Sequence, residues 1–279
     1  MPVVTRFAPS PTGWLHLGHA YAALFAAEQA SQQDGRFLIR LEDIDATRSR
    51  PEYEKALFED LSWLGLHWEQ PVRRQSDHAE DYQAALQQLK ALGLLYPCFC
   101  TRKEIQEEIA RAGQAPHGPD GALYPGTCRS RPMSQQQDMI AKGIPYAMRL
   151  NVEKAASFVH KELFWEDAAC GVQLATPSIF GDVVLARKDT PASYHLAVVV
   201  DDALQGITLV TRGEDLFAAS HLHRLLQELL HLPVPRWHHH RLILDGNGRR
   251  LAKRDDARSL RTLREEGLRA EDIREMLAD

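Results

Sequence analysis

The chain has 279 residues, 44% hydrophobic and 25% charged, which is enough apolar material for one large domain or two lobes. No run of apolar residues is long enough for a membrane helix, and the start MPVVTRFAPSP lacks the pattern of a signal peptide, so a cytoplasmic protein with no membrane partner is expected. A formal net charge of -5 argues against attraction of the whole surface to nucleic acid and leaves room for a local basic patch.

Val3 to Ala8 reads as a short strand, followed by a loop with Pro9, Pro11 and Gly13. An alanine-rich helix is predicted from about Gly18 to Ser31, then a strand at Phe37–Leu41 with Glu42 to Asp45 at its end. Helices are predicted near Glu52–Leu64 and His78–Leu92. Strand, loop, helix, strand is the opening of an α/β domain with a parallel sheet, and such sheets bind ligands at the carboxyl ends of their strands. Residues 96–151 read differently. They hold three of the four cysteines and the Gly/Pro-rich HGPDGALYPGTC, and are predicted to be an insertion. The strand Asp182–Arg187, the apolar run His195–Val200 and the strand Ile207–Thr211 return to α/β character, and Leu216–Leu230 is an amphipathic helix. From Arg236 to Arg264 nine Lys and Arg stand against three Asp, beside His238, His239 and His240. Charge alone favours a solvated face there over a phosphate-contacting surface. Short helices are predicted at Leu260–Glu266 and Ala270–Leu277. The expected division is an α/β catalytic unit over 1–95 and 152–235, the insertion at 96–151, and a basic loop with short helices over 236–279.

Two segments carry phosphate chemistry. In RFAPSPTGWLHLGHA, Arg6 to Ala20, a strand feeds a loop that opens a helix at Leu17, Gly18 and His19. Glycine lets the backbone approach a ligand, and a helix start presents N–H groups and partial positive charge to phosphate. His16 and His19 are three apart and can face one side, although two histidines alone are more often capping and packing residues. GRRLAKRDD, Gly248 to Asp256, offers Arg250, Lys253 and Arg254 to a triphosphate, where they would stabilise charge on leaving pyrophosphate. By itself it reads as a basic turn.

Together these segments resemble class I aminoacyl-tRNA synthetases. HLGH resembles the HIGH signature, APSPTG resembles the glutamyl branch, and Arg250 to Arg254 resemble the KMSKS loop, in the family's order. The resemblance implies a Rossmann-like α/β catalytic domain with a zinc-binding insertion and a short helical C-terminal segment. It implies His16, His19 and Lys253 as catalytic residues on the ATP phosphates, with Pro9, Gly13, Gly18 and Arg250 completing the ATP site and magnesium accompanying ATP.

A glutamate site needs cations for two carboxylates and an anion for the ammonium. Arg6 and Arg212 end strands, as does Glu42 in RLEDID, and Tyr194 stands in SYHLAVVVDD. Each resembles a residue of the glutamyl-synthetase pocket. Arg6 and Arg212 would take carboxylates, Glu42 the ammonium, and Ser10 and Tyr194 would supply hydrogen bonds, with Phe7, Ala8 and Pro9 in the same set. Which arginine reads the side-chain carboxylate stays open. Asp201 and Asp202 could serve ATP, magnesium or structure.

Cys98 and Cys100 form CxC, and Tyr124 and Cys128 form YxxxC. Clustered thiols in a cytosolic chain more often bind metal than form disulfides, and zinc wants four ligands. The fourth is His117 on chemical habit, and Tyr124 on resemblance to the short glutamyl-synthetase relatives. One structural zinc is expected. Cys170 reads as a small buried apolar residue.

The sequence stops about 25 residues after Lys253, where full glutamyl synthetases continue into an anticodon-binding domain. In this the chain resembles the glutamyl-Q tRNA(Asp) synthetases, as it does in Tyr21 where ordinary members carry arginine. That family transfers glutamate to queuosine at the anticodon wobble position of tRNA(Asp). The partners implied are ATP, L-glutamate and queuosine-containing tRNA(Asp), with the chain a monomer. The alternatives are a glutamyl core charging a tRNA 3′ end, and a non-catalytic paralogue binding tRNA or nucleotide.

Overall fold

The structure, a computed structural model, describes residues 2–111, 117–244 and 258–278. Strand β1 (Val4–Phe7) leads through the proline loop to α1 (Leu17–Ser31) and β2 (Arg36–Leu41). In α1 the buried residues are Ala20, Ala23, Ala26 and Ala30, so the face toward the sheet carries no large side chain. This lets the helix sit close, and Thr5 Oγ1 donates to the Ala26 carbonyl at 2.8 Å. α2 (Pro51–Trp63) begins with proline, whose missing N–H costs nothing at a helix start, and buries Ala56, Leu57 and Leu61. β3 (Arg73–Arg74) and α3 (Ala79–Ala91) follow. β1, β2 and β3 are parallel neighbours, with Val4 opposite Arg36 and Arg40 opposite Arg73.

The next stretch holds β4 (Leu95–Cys98), α4 (Arg102–Arg111), β5 (His117–Gly118), β6 (Gly121–Ala122), α5 (Met133–Ala141) and β7 (Ala147–Leu150). After α6 (Val152–Val159) come β8 (Phe164–Asp167), β9 (Gly171–Leu174) and β10 (Val183–Arg187). β7 is the middle strand of an antiparallel sheet, with β4 on one side and β10 on the other. The sequence pattern put β10 back with the parallel sheet. Its alternation marks a strand and says nothing of which edge accepts it.

α7 (Tyr194–Leu204), β11 (Leu209–Gly213), α8 (Ala219–Leu229) and β12 (Arg236–His240) follow, and β11 and β12 are parallel neighbours in a further sheet. β11 runs beside β1, joined by Thr208 N to the Val4 carbonyl at 3.0 Å and by Arg6 Nη1 to the Thr211 carbonyl at 2.9 Å. β12 lies between β11 and β8, and β9 closes an antiparallel hairpin on β8. Residues 236–240 are therefore no solvated face, since Trp237, His239 and His240 are buried in a strand. The chain steps outward from β1 to β2 and β3, and the other way from β11 to β12. The crevice between the carboxyl ends of β1 and β11 is the topological switch point, where sheets of this kind bind ligands.

The last helices, α9 (Leu260–Glu265) and α10 (Ala270–Leu277), bury Leu260, Leu263, Ile273 and Leu277 in the same core as α1 and α2. Leu260 N donates to the Leu15 carbonyl at 2.8 Å, and Ser259 bridges to His16. No helix among the described residues is long and apolar enough to cross a membrane.

Candidate active site

His16 is the N-cap of α1. Its Nδ1 accepts from Gly18 N at 3.1 Å, and His19 Nδ1 accepts from His16 N at 3.2 Å. Both rings are therefore capping residues, as a bland reading expects. Capping also fixes their tautomer, because a ring that accepts at Nδ1 carries its proton on Nε2. The two rings, 3.9 Å apart between centroids, thus each have an Nε2–H donor at a helix N-terminus, which is chemistry suited to phosphate. A Cβ on Gly18 would lie 3.1 Å from His16 Cε1, so the glycine keeps the cap in place. The Pro9 carbonyl accepts from Glu42 N at 3.0 Å, tying the loop to the end of β2. Gly13 is half-buried in that loop, Ser10 is exposed, and Ala8 is half-buried. The Phe7 ring packs into the core with α1 and α2, so its backbone is what the crevice can meet.

Arg6 is buried and committed to acidic partners. Its Nε lies 2.9 Å from Asp202 Oδ1. Arg40 reaches the same Asp202 oxygen at 2.8 Å and Glu42 at 3.2 Å. Asp201 accepts from Arg73 at 2.7 Å, Gln75 at 2.8 Å and the Tyr82 hydroxyl at 3.0 Å. Burial works against the Asp202 charge, yet Arg6 and Arg40 hold its carboxyl below the usual value. Of the three roles open to Asp201 and Asp202, structure is the one these contacts fill. Glu42 has Arg40 as its hydrogen-bond partner, and burial pushes its carboxyl up.

Arg212 faces the crevice from β11 in different company. It donates to Ser220 Oγ at 2.7 Å, His239 Nε2 at 3.1 Å, His223 Nδ1 at 3.2 Å and the Tyr194 hydroxyl at 3.3 Å. All four are neutral. Among the described residues no carboxylate enters the hydrogen-bond shell of this buried guanidinium, which suits it to an anion. Burial pushes Arg212 down, and burial with the Arg212 charge drives His239 to about 4 and His223 well below its ordinary value. The sequence reading named Arg6, Glu42, Tyr194 and Arg212 and did not name Ser220, His223 and His239, which surround Arg212. The histidines in SHLH and WHHH were visible, but nothing in the sequence aims them at Arg212.

Cys98, Cys100 and Cys128 bring their sulfurs within 4.8 Å of one another. The Tyr124 hydroxyl accepts from Cys128 N at 2.9 Å and lies 3.5 Å from Cys100 Sγ. His117, exposed on β5, is outside that group. Three thiols and a phenol, mostly buried among apolar neighbours, fit one tetrahedral metal ion. Between this cluster and α7 opens a cleft of about 650 Å³, lined by Tyr124, Arg149, Arg187, Asp120 and His195. Cys170, expected to be buried, is exposed in the turn between β8 and β9. Arg250, Lys253 and Arg254 lie outside the described residues.

The comparisons with known proteins agree with this geometry. The family described as "tRNA synthetases class I (E and Q), catalytic domain" matches residues 2–278. A glutamyl-Q tRNA(Asp) synthetase of Rhodobacter capsulatus is 49% identical, covering 99% of both chains. One of Nocardia farcinica is 42% identical over 98% of this chain and 83% of that relative. Among solved structures, a glutamate tRNA ligase from Elizabethkingia meningosepticum, crystallised with its amino acid, superposes with a TM-score of 0.81 at 28% identity. That match takes in 100% of this chain, which spans 60% of the ligase. The chain belongs to the class I tRNA synthetases of the glutamate and glutamine branch, and within them to the glutamyl-Q tRNA(Asp) synthetase family.

Proposed function

We propose that the chain activates L-glutamate with ATP without help from tRNA, then transfers the glutamyl group to queuosine in the anticodon of tRNA(Asp). The observation that carries this is Arg212, a buried cation whose hydrogen bonds among the described residues go to neutral partners, together with a phosphate-type helix start at α1.

Arg212 and Arg6 take the substrate carboxylates, Glu42 the ammonium, and Ser10 and Tyr194 add hydrogen bonds. Arg212 carries more of the recognition, because Arg6 already shares its charge with Asp202. Phe7, Ala8 and Pro9 contribute backbone. His16 and His19 donate from Nε2 to ATP phosphates, helped by Pro9, Gly13, Gly18, Arg250 and Lys253. A glutamate α-carboxylate oxygen attacks the α-phosphorus of ATP and pyrophosphate leaves. A queuosine hydroxyl then attacks the activated carbonyl and AMP leaves. Neither step needs a protein nucleophile, so the chain works by positioning and by stabilising phosphate charge. Magnesium travels with ATP and offsets charge on the leaving pyrophosphate.

The cleft beside the cysteine cluster is the space offered to the acceptor nucleotide. Cys98, Cys100, Cys128 and Tyr124 would hold one structural zinc, which would brace the insertion that forms the wall of the cleft, and Cys128→Ser is expected to lose the bound metal in elemental analysis. ATP–pyrophosphate exchange tests the activation step. Exchange that depends on glutamate and proceeds without tRNA is the expected result. Exchange that appears only with tRNA points instead to a core charging a 3′ end.

A further inference from the structure

Arg212 can only donate hydrogen bonds, so its two imidazole partners must accept. Their tautomers follow. His239 accepts at Nε2, carries its proton on Nδ1, and gives it to Asp167 Oδ2 at 2.7 Å. His223 accepts at Nδ1 and carries its proton on Nε2, which lies 3.1 Å from His195 Nδ1. His195 then donates from Nε2 to Asp120 Oδ2 at 3.1 Å. Two hydrogen-bonded chains thus run outward from Arg212. Each ends on a carboxylate, and each keeps at least one neutral imidazole between that carboxylate and the guanidinium.

We propose that His223 and His239 are positioning residues that hold Arg212 through neutral acceptors, so that its orientation is fixed while its charge stays available to a substrate carboxylate. The contrast with Arg6 supports this. An aspartate fixes Arg6 equally well and takes part of its charge. An imidazole accepts one hydrogen bond and cancels nothing. The carboxylates Asp167 and Asp120 orient the rings from one or two residues away, as outer hydrogen-bond partners orient metal-bound histidines. Both rings stay neutral beside Arg212, because burial and its charge disfavour their protonation.

The inference rests on the assignment of Arg212 to glutamate, and the test separates the two. His223→Asn puts an amide oxygen where Nδ1 accepts, while His223→Asp puts a carboxylate of the same shape there. KM values for glutamate and for ATP are measured in pyrophosphate exchange, alongside Tm. The Asp variant should raise the glutamate KM about tenfold or more, leave the ATP KM unchanged and keep or raise Tm, because it pairs with Arg212. The Asn variant should recover to within about threefold of the wild type. His239→Gln and His239→Glu repeat the comparison on the other chain, should a variant at 223 not fold. Equal KM values in the neutral and acidic variants overturn the positioning role. If Arg212→Ala itself leaves the glutamate KM unchanged, the assignment of Arg212 fails first. If only the acidic variants are silent, the assignment stands and the positioning role falls.

Discussion

The two flanks of the crevice solve the same problem, a buried arginine, in opposite ways. On the β1–β2 side, Arg6, Arg40 and Arg73 meet Asp202, Asp201, Asp81 and Glu42. On the β11 side, Arg212 meets a tyrosine, a serine and two neutral histidines. The first arrangement pairs its charges with one another before any ligand arrives, so it holds the fold together even where Arg6 and Glu42 are also proposed to meet the substrate. The second leaves a cation with neutral partners among the described residues, which suits the carboxylate proposed for it. Formal charge alone does not separate a structural arginine from a binding one. Its partners do.

Substitutions on each flank should therefore fail in different assays. Asp201→Ala strips an acceptor from Arg73, Gln75 and Tyr82 and a nearby charge from Arg40. It should cost about 3–5 kcal/mol, as breaking a buried ionic network does, and lower Tm by about 10 °C in a thermal melt. Arg212→Ala should reduce glutamate-dependent exchange by about 10²–10³-fold, with Tm unchanged or higher, since a desolvated cation is lost. If its Tm falls as far as that of Asp201→Ala, the two flanks do not differ as described.

Asp60 sharpens the comparison from the opposite sign. It is a buried carboxylate on α2 whose nearest cation is Arg264 of α9 at 3.6 Å. Burial pushes its carboxyl up to about 6, against an ordinary value of 3.8. Between those values the folded chain binds more protons than the unfolded one, so this group's contribution falls as pH rises from about 4 to 6. Asp60→Asn removes that loss. Melts should show the variant more stable by about 5 °C at pH 8 and equal to the wild type near pH 4. A constant difference at both pH values would count against this account of Asp60.

The strand-end charges were legible because a parallel α/β pattern fixes which end of a strand faces ligand. Arg6, Glu42 and Arg212 needed only that rule. The histidines of α8 and β12 did not yield to it, because their direction depends on how α8 packs against α6, α7 and β8, and on which strands flank β12. β12 was hidden by its composition. Arg-Trp-His-His-His looks solvated until β11 and β8 flank it. Asp201 and Asp202 sit in an apolar run, and their partners come from residues more than 100 positions away. The antiparallel sheet of β4, β7 and β10 was also out of reach, since strand pairing between segments dozens of residues apart leaves no local mark. The cysteine cluster was legible by spacing, whereas nothing in the spacing says that the Tyr124 hydroxyl stands beside the thiols.

The most direct measurement of the central claim uses labelled glutamate, ATP and tRNA(Asp) ending in a 2′,3′-dideoxyadenosine, with and without queuosine. Label should enter the queuosine-containing tRNA, although its 3′ end cannot accept, and should be absent from the tRNA lacking queuosine. Label that appears only when the 3′ terminal hydroxyls are restored, regardless of queuosine, would contradict the account.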